Sequence, residues 1–297
     1  MEGLLLEAPA KLNVRLKVTG RRSDGYHELV SVMVPVDLVD RVYVEETGRP
    51  GVTFRSSGLP VPEGKDNLAV RAAYAFLSRT DQDRGLLVEL EKRIPSAAGL
   101  GGGSSDAGAV LRAMRRIYPG AFSEEELVRE AASLGADVPF FIRAEPSLAR
   151  GIGEVLEPLD WWPEVWYVLV RPPIAVSTGS VYARLKIELT TDEYDYIFKV
   201  LKQGVFCVAD LLENDLERVT ENEHPAIASI KQALKAEGAQ GALMTGSGPT
   251  VFGVFPGEEE ARAAAEGMIT RGMGEVFVVT NWLGDGGGVQ PRRFRAE

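Results

Sequence analysis

An α+β fold in two units is what this 297-residue sequence predicts. Three observations carry that expectation. The chain opens on a long period-2 alternation, and helical periods recur between strands without the regular strand–helix alternation of a doubly wound sheet. A run of glycines also joins one strand directly to one helix. The length allows one large or two ordinary domains, each with its own core. We place the first unit at residues 1–160, the second at 161–285 and a basic tail, ending PRRFRAE, at 286–297. The join falls near EPLDWWPE.

In chain order, residues 4–18 alternate, with Lys11, Asn13, Arg15 and Lys17 on one face and Leu12, Val14, Leu16 and Val18 on the other. That pattern predicts a half-buried strand. After the turn signal in SDG come LVSVMVPV and DRVYVEE, expected as two further strands of an antiparallel meander that continues through VTFRSS. A Pro/Gly-rich loop leads into NLAVRAAYAFLSR, a helix capped by Asp66 or Asn67. GLLVELEKRI reads as a strand, and AGAVLRAMRRI beyond the glycines as a helix. Ser123 and Glu126 form a capping box for the next helix, which Gly135 closes. The second unit shows helical stretches near 178–187, 192–203 and 223–237. The strand–turn–strand GALMTGSGPTVFGVF, the helix EEEARAAAEGMITR and the strand EVFVVTNW then follow.

Composition narrows the function classes. A net charge of −10 argues against a general nucleic-acid binder, which carries a basic face. One cysteine and two histidines exclude a disulfide framework, a cysteine cluster and a histidine-rich metal site. Cys207, between apolar neighbours in VFCVADLL, is expected to be a buried structural thiol. No apolar run reaches membrane-spanning length and the N-terminus lacks a signal-peptide pattern, so a soluble, cytoplasmic protein is expected.

Chemistry concentrates in IPSAAGLGGGSSDAG. Gly99, Gly101, Gly102 and Gly103 allow positive φ and let backbone N–H groups converge on an anion. A helix starting just after them adds unpaired donors and the positive end of its dipole. Ser104 and Ser105 add hydroxyls, so a polyphosphate suits the loop. No lysine follows the glycines and the GxGxxG register fails, so neither of the two commonest phosphate loops is present. A plain strand-to-helix connection is the alternative. Asp137, in SLGADVPFF, is either a general base on a constrained segment or the cap of a short helical turn preceding Pro139. Lys11 is either a solvated lysine on a polar strand face or a catalytic cation. GSGPT within MTGSGPTVF is either a hairpin turn or a second anion-facing turn.

PSAAGLGGGSSDAGAVL resembles the signature loop of the GHMP small-molecule kinases, and the similarity extends from Ala8 to about Phe255. The resemblance implies a two-domain GHMP α+β fold, with an N-terminal domain like domain 2 of ribosomal protein S5 and a C-terminal ferredoxin-like domain. It implies that Pro95, Ser96, Ala97, Ala98, Gly99, Leu100, Gly101, Gly102, Gly103, Ser104 and Ser105 wrap the phosphates of ATP. VPEGKDN is similar to the family's adenine region, which singles out Lys65 and Asn67. In APAKLN and GADVPFF, Lys11 and Asp137 match the catalytic lysine and aspartate, with Asn13 on the same strand face as Lys11. Phe140 and Phe141 would keep that vicinity dry. SDGYHEL resembles a segment in which Tyr26 and His27 hold a cytidine, and Tyr182 would be a second aromatic wall. Thr245, Gly246 and Ser247 match a third motif beside the phosphates. ENDLE also fits the family, without a role derivable from the residues.

A small-molecule acceptor, a cytidine diphosphate alcohol, would thus receive the γ-phosphate of ATP. Mg²⁺ would travel with the nucleotide, since no dedicated carboxylate cluster appears. Neither nucleic acid nor membrane would be a partner, and the enzyme would be a monomer or weak homodimer. Homoserine- or mevalonate-type kinases, or a non-catalytic nucleotide-binding relative, are the alternatives.

Overall fold

The computed structural model describes residues 3–79, 84–186, 193–202, 204 and 206–284. The expected tail at 286–297, and the edges of the helices expected at 178–187 and 192–203, lie outside these residues.

Strands β1 (Leu4–Arg21) and β2 (His27–Thr47) form a long antiparallel ribbon that anchors the first sheet. β3 (Gly51–Gly58), helix α1 (Leu68–Leu77), β4 (Gly85–Lys92), α2 (Gly102–Ile117), α3 (Glu124–Leu134), α4 (Phe140–Arg143), β5 (Ser147–Arg150) and β6 (Val155–Pro158) follow. β7 (Trp166–Arg171) opens the second sheet. Helices α5 (Thr178–Arg184), α6 (Glu193–Lys202) and α7 (Val208–Leu211) lead to the short β8 (Glu213–Asn214). Then come α8 (Glu217–Glu223), α9 (Ala226–Ala236), β9 (Gly241–Met244), β10 (Val251–Phe255), α10 (Glu258–Thr270) and β11 (Glu275–Thr280). The first sheet runs β3-β4-β2-β1-β8, with β5 and β6 continuing from β2, and the second runs β11-β7-β10-β9. Among the described residues no helix is long and apolar enough to cross a membrane.

The structure departs from the sequence reading at several points. The stretch expected as two strands is the single strand β2. Pro35 survives inside it because β5 pairs with residues 31–33 and β4 with residues 41–47. Pro35 therefore lies in the gap where no second strand asks for its missing N–H. The expected meander fails at β3, which pairs with β4 in parallel while β4 inserts beside β2. Nor is β1 half-buried: Lys11, Asn13 and Arg15 are as covered as the leucines opposite. The second sheet packs on the apolar face, where one core mixes Leu12 and Val14 with Tyr167, Leu243, Phe252 and Phe277. On the polar face Thr245 meets Asn13, while Glu193, Leu211 and Glu213 surround Arg15. The helix expected near 223–237 is α9, which starts at Ala226 after Pro225, and a separate short helix α8 precedes it. Cys207 is exposed, not buried, because it precedes α7 while Val208 and Phe206 supply the packing.

One polar group ties the two sheets together. Buried Asp37 on β2 accepts a hydrogen bond from the N–H of Thr280 at the end of β11, 2.8 Å away. Beside it Val36 bridges Asn281, and the carbonyl of Pro35 accepts from the N–H of Trp282. Burial, with smaller contributions from Glu7 and Glu258, pushes the Asp37 carboxyl up to about 7, against the Thr280 N–H that favours the ionised form. The folded state thus holds this proton more tightly than the unfolded chain. The contribution is most favourable below the unfolded value and is lost as pH rises through about 7. Asp37→Asn should therefore gain stability relative to the parent as pH increases from 4 to 8, by roughly 2–4 kcal/mol at the upper end. Urea denaturation at the two pH values checks this; a pH-independent difference between the proteins contradicts it.

Candidate active site

The glycine segment is positioned by its flanks. β4 delivers it from the first sheet, and the helix α2 begins at Gly102, earlier than the Ala-rich stretch suggests. Gly101, the residue before that helix, has φ 70°, and a Cβ there would lie 2.9 Å from the Phe141 ring and 3.0 Å from Lys11 Cγ. Gly99 has φ 75°, and its Cβ would fall 2.3 Å from the carbonyl oxygen of Thr245. These positions require glycine on both counts, conformation and space. Ala97 is left-handed without being glycine, at φ 51°, a conformation costing about 1–2 kcal/mol. The loop is therefore a fixed, tightly packed cradle and not a slack connection.

Lys11 sits on β1 directly beneath it, its N–H donating to the carbonyl of Leu100 at 2.9 Å. The buried Lys11 ammonium donates to Asn13 Oδ1 and lies 3.7 Å from Asp137 Oδ2. Asn13 is held in turn: its Nδ2 donates to Ser31 Oγ at 2.8 Å, and its backbone N–H donates to Thr245 Oγ1 at 3.0 Å. Asp137, in the turn between α3 and α4, leaves 38% of its side chain open to solvent. A buried cation thus faces an accessible carboxylate. Phe140 and Phe141, both about 1% exposed and edge-to-face, back this corner.

These groups share one cavity of about 910 Å³. Its walls include Lys11, Asn13 and Asp137, the loop residues Pro95, Ser96, Ala97, Ala98, Gly99, Gly101, Gly102, Gly103 and Ser104, and the turn at Gly246 and Ser247. Tyr26, His27, Tyr182 and Asn67 line it too. Tyr26 is 59% exposed at the rim, while His27 and Tyr182 stack with ring centroids 5.1 Å apart. Burial and then the Arg21 charge lower the His27 pKa, so its ring is neutral near pH 7. Burial, aided by the charge of Asp137, raises that of Tyr182, which remains a phenol.

Four expected residues do not line the cavity. The side chain of Leu100 is in the core, and Lys65 is exposed away from the walls. Ser105 is fully buried on the inner side of α2, its hydroxyl unpartnered, so it does not present a donor to the cavity as Ser104 does. Thr245 is buried and acts through Asn13. Asn67 reaches the wall, but its side chain is occupied, accepting from Ala69 N–H as the cap of α1 and donating to the carbonyl of Pro62.

Two arrangements were missed in the sequence. Lys92, on the cavity wall, is buried between Asp40 and Asp106, with its ammonium 2.7 Å from Asp106 Oδ2. Asp40 also accepts the N–H of Ile94 at 2.8 Å. A signal existed: Lys92 falls in phase with Leu86, Val88 and Leu90, and a lysine on an apolar strand face needs a buried partner. The other is Asn214, within ENDLE, whose Nδ2 donates to the carbonyls of Met244 and Gly246 at 2.7 and 2.8 Å. It clamps the second glycine turn, which gives that segment its role.

A glycine cradle at the start of a helix, facing a lysine–aspartate couple across a cleft, defines the class of GHMP kinases. Family models agree, GHMP kinases N terminal domain matching residues 67–145 and GHMP kinases C terminal matching 206–273. The 4-diphosphocytidyl-2-C-methyl-D-erythritol kinase of Syntrophotalea carbinolica is 46% identical over 279 residues, covering 94% of this chain and 98% of its own. That of Geobacter metallireducens is 46% identical over 270 residues, covering 90% and 95%. A crystal structure of 4-(cytidine 5'-diphospho)-2C-methyl-D-erythritol kinase superposes with a TM-score of 0.78 at 38% identity, covering 95% of this chain and all of the other. Homoserine kinase from Cytophaga hutchinsonii shares the fold, with a TM-score of 0.75 at 17% identity over 99% of this chain and 98% of its own. The chain belongs to the 4-diphosphocytidyl-2-C-methyl-D-erythritol kinase family.

Proposed function

We propose that this protein transfers the γ-phosphoryl group of ATP to the 2-hydroxyl of 4-diphosphocytidyl-2-C-methyl-D-erythritol, in the methylerythritol phosphate route to isoprenoid precursors. The observation that carries the reading is the Lys11–Asp137 couple, 3.7 Å apart, in one cavity with the glycine cradle and Tyr26. Asp137 accepts the hydroxyl proton as the oxygen attacks the γ-phosphorus; the new O–P bond forms while the bond to the β,γ-bridging oxygen breaks, releasing ADP. The Lys11 ammonium, held by Asn13, offsets charge on the attacking oxygen and the transferring group. Backbone N–H groups at the start of α2 and of the turn at Gly246 face the phosphates. The Tyr26 ring and the neutral His27 suit a pyrimidine, one by stacking and the other by hydrogen bonding.

Mg²⁺ enters with the nucleotide as part of the donor substrate. The Ser104 hydroxyl on the cavity wall would be a group to hold it, and the cation would offset phosphate charge. A cytoplasmic enzyme, monomeric or weakly dimeric, acting on small molecules and not on nucleic acid or membrane, accompanies this reading. So does a division into two units near residue 160.

A coupled assay of ADP release with the cytidylated alcohol, homoserine and mevalonate tests the proposal. Turnover is expected with the first alone. Turnover only with homoserine or mevalonate would overturn the acceptor assignment. Tight ATP binding with no acceptor phosphorylated would favour a non-catalytic relative.

A further inference from the structure

Arg21 closes β1 and pairs directly with His27, the first residue of β2. Directly opposed residues of an antiparallel pair project to the same face. Both residues line the cavity, together with Gly25 and Tyr26. The neighbouring cation is occupied: Arg22 Nε lies 3.1 Å from Asp24, and its Nη1 is 3.7 Å from Glu28. The Arg21 side chain, by contrast, has no hydrogen bond or ion pair among the described residues. In a chain of net charge −10, a guanidinium facing a cavity with no carboxylate beside it is left for an anionic ligand group. Burial and the Arg21 charge both disfavour the charged form of His27, so Arg21 is the fixed cation at this end. The glycine cradle has its own donors, in the loop backbone and the first turn of α2.

We propose that Arg21 binds the diphosphate of the cytidylated acceptor and makes the pyrimidine end of the site selective for a nucleoside diphosphate over the bare nucleoside. The inference rests on the acceptor assignment made above. That acceptor carries its diphosphate between the cytidine, which Tyr26 and His27 suit, and the alcohol placed at Asp137. A guanidinium beside His27 is therefore at the correct end. Arginine serves this task well because its planar fork donates two parallel hydrogen bonds to phosphate oxygens.

Calorimetry with cytidine and CDP tests it, using the parent protein, Arg21→Ala and Arg21→Lys, with the donor site filled by a non-hydrolysable ATP analogue. Arg21→Ala is expected to weaken CDP about tenfold or more, leave cytidine unchanged and flatten the salt dependence of CDP binding. Arg21→Lys should recover part of the CDP affinity, since the charge remains and the fork is lost. In turnover, the KM of the cytidylated alcohol should rise with that of ATP unchanged. If Arg21→Ala weakens cytidine and CDP equally, the residue reads the base or shapes the loop, and the proposal falls. It falls as well if CDP binds Arg21→Ala as it binds the parent. A parent protein that binds neither cytidine nor CDP would instead remove the acceptor assignment itself, and this inference with it.

Discussion

Replacing Asp137 by Asn is expected to lower kcat by about 10³-fold, within the range for loss of a positioned general base, while ATP binds as before. The amide keeps the shape of the carboxylate but cannot take the hydroxyl proton. It also leaves Lys11 without its anionic neighbour, although the ammonium stays bonded to Asn13. ATP affinity should survive because the cradle grips through the backbone of the loop and the first turn of α2. Asp137 belongs to a different segment, between α3 and α4. Single-turnover rates and calorimetry with a non-hydrolysable ATP analogue separate the two quantities. A parallel loss of both would make Asp137 a structural residue. Retained turnover would move the base elsewhere.

The elements of this site that were legible in the sequence are those with local signatures. Glycines at 99 and 101–103 abutting a strong helix announce an anion cradle without knowledge of the fold, and Asn67 and Ser123 announce helix starts. Lys11 and Asp137 were legible only through resemblance, since a lysine on an alternating strand and an aspartate before Pro139 have ordinary explanations. What brings them together is the packing of the α3–α4 turn against β1, a long-range fact that no local period encodes. The same limit explains β1. Its alternation truthfully separates polar from apolar faces, but polar did not mean solvated, because the turn at Thr245 and the segment from Glu193 to Glu213 cover Asn13 and Arg15. Arg15 is accommodated by Glu193 and Glu213, which lie far along the chain. The insertion of β4 beside β2 was equally invisible, since pairing order depends on crossovers and not on strand propensity.

Lys92→Met carries the largest expected effect on stability. Lys92 and Asp40 are both almost completely buried, and the ammonium also donates to Asp106. Removing the cation leaves the Asp40 charge in a low-dielectric site, a change that costs about 3–5 kcal/mol in comparable buried pairs. The backbone N–H groups of Arg93 and Ile94 still donate to Asp40, so the lower end, about 3 kcal/mol, is expected. Asp106 behaves differently: burial first, and then the Asp40 charge, push its carboxyl well above the usual range, so the fold disfavours its ionised form while its oxygen still accepts from Lys92. Asp106→Asn preserves such an acceptor and should cost only about 1 kcal/mol. The two variants thus separate a charge partner from a hydrogen-bond partner around a single ammonium. Because a Cβ on Gly102 would approach Lys92 Nζ to 3.0 Å, that ammonium also supports the floor of the cradle. Lys92→Met should therefore weaken the ATP analogue as well as lower the urea midpoint, with Asp106→Asn close to the parent on both measures. Equal destabilisation by the two substitutions would mean that Asp106 is ionised in the fold, and an unchanged midpoint for Lys92→Met would mean that Asp40 needs no cation.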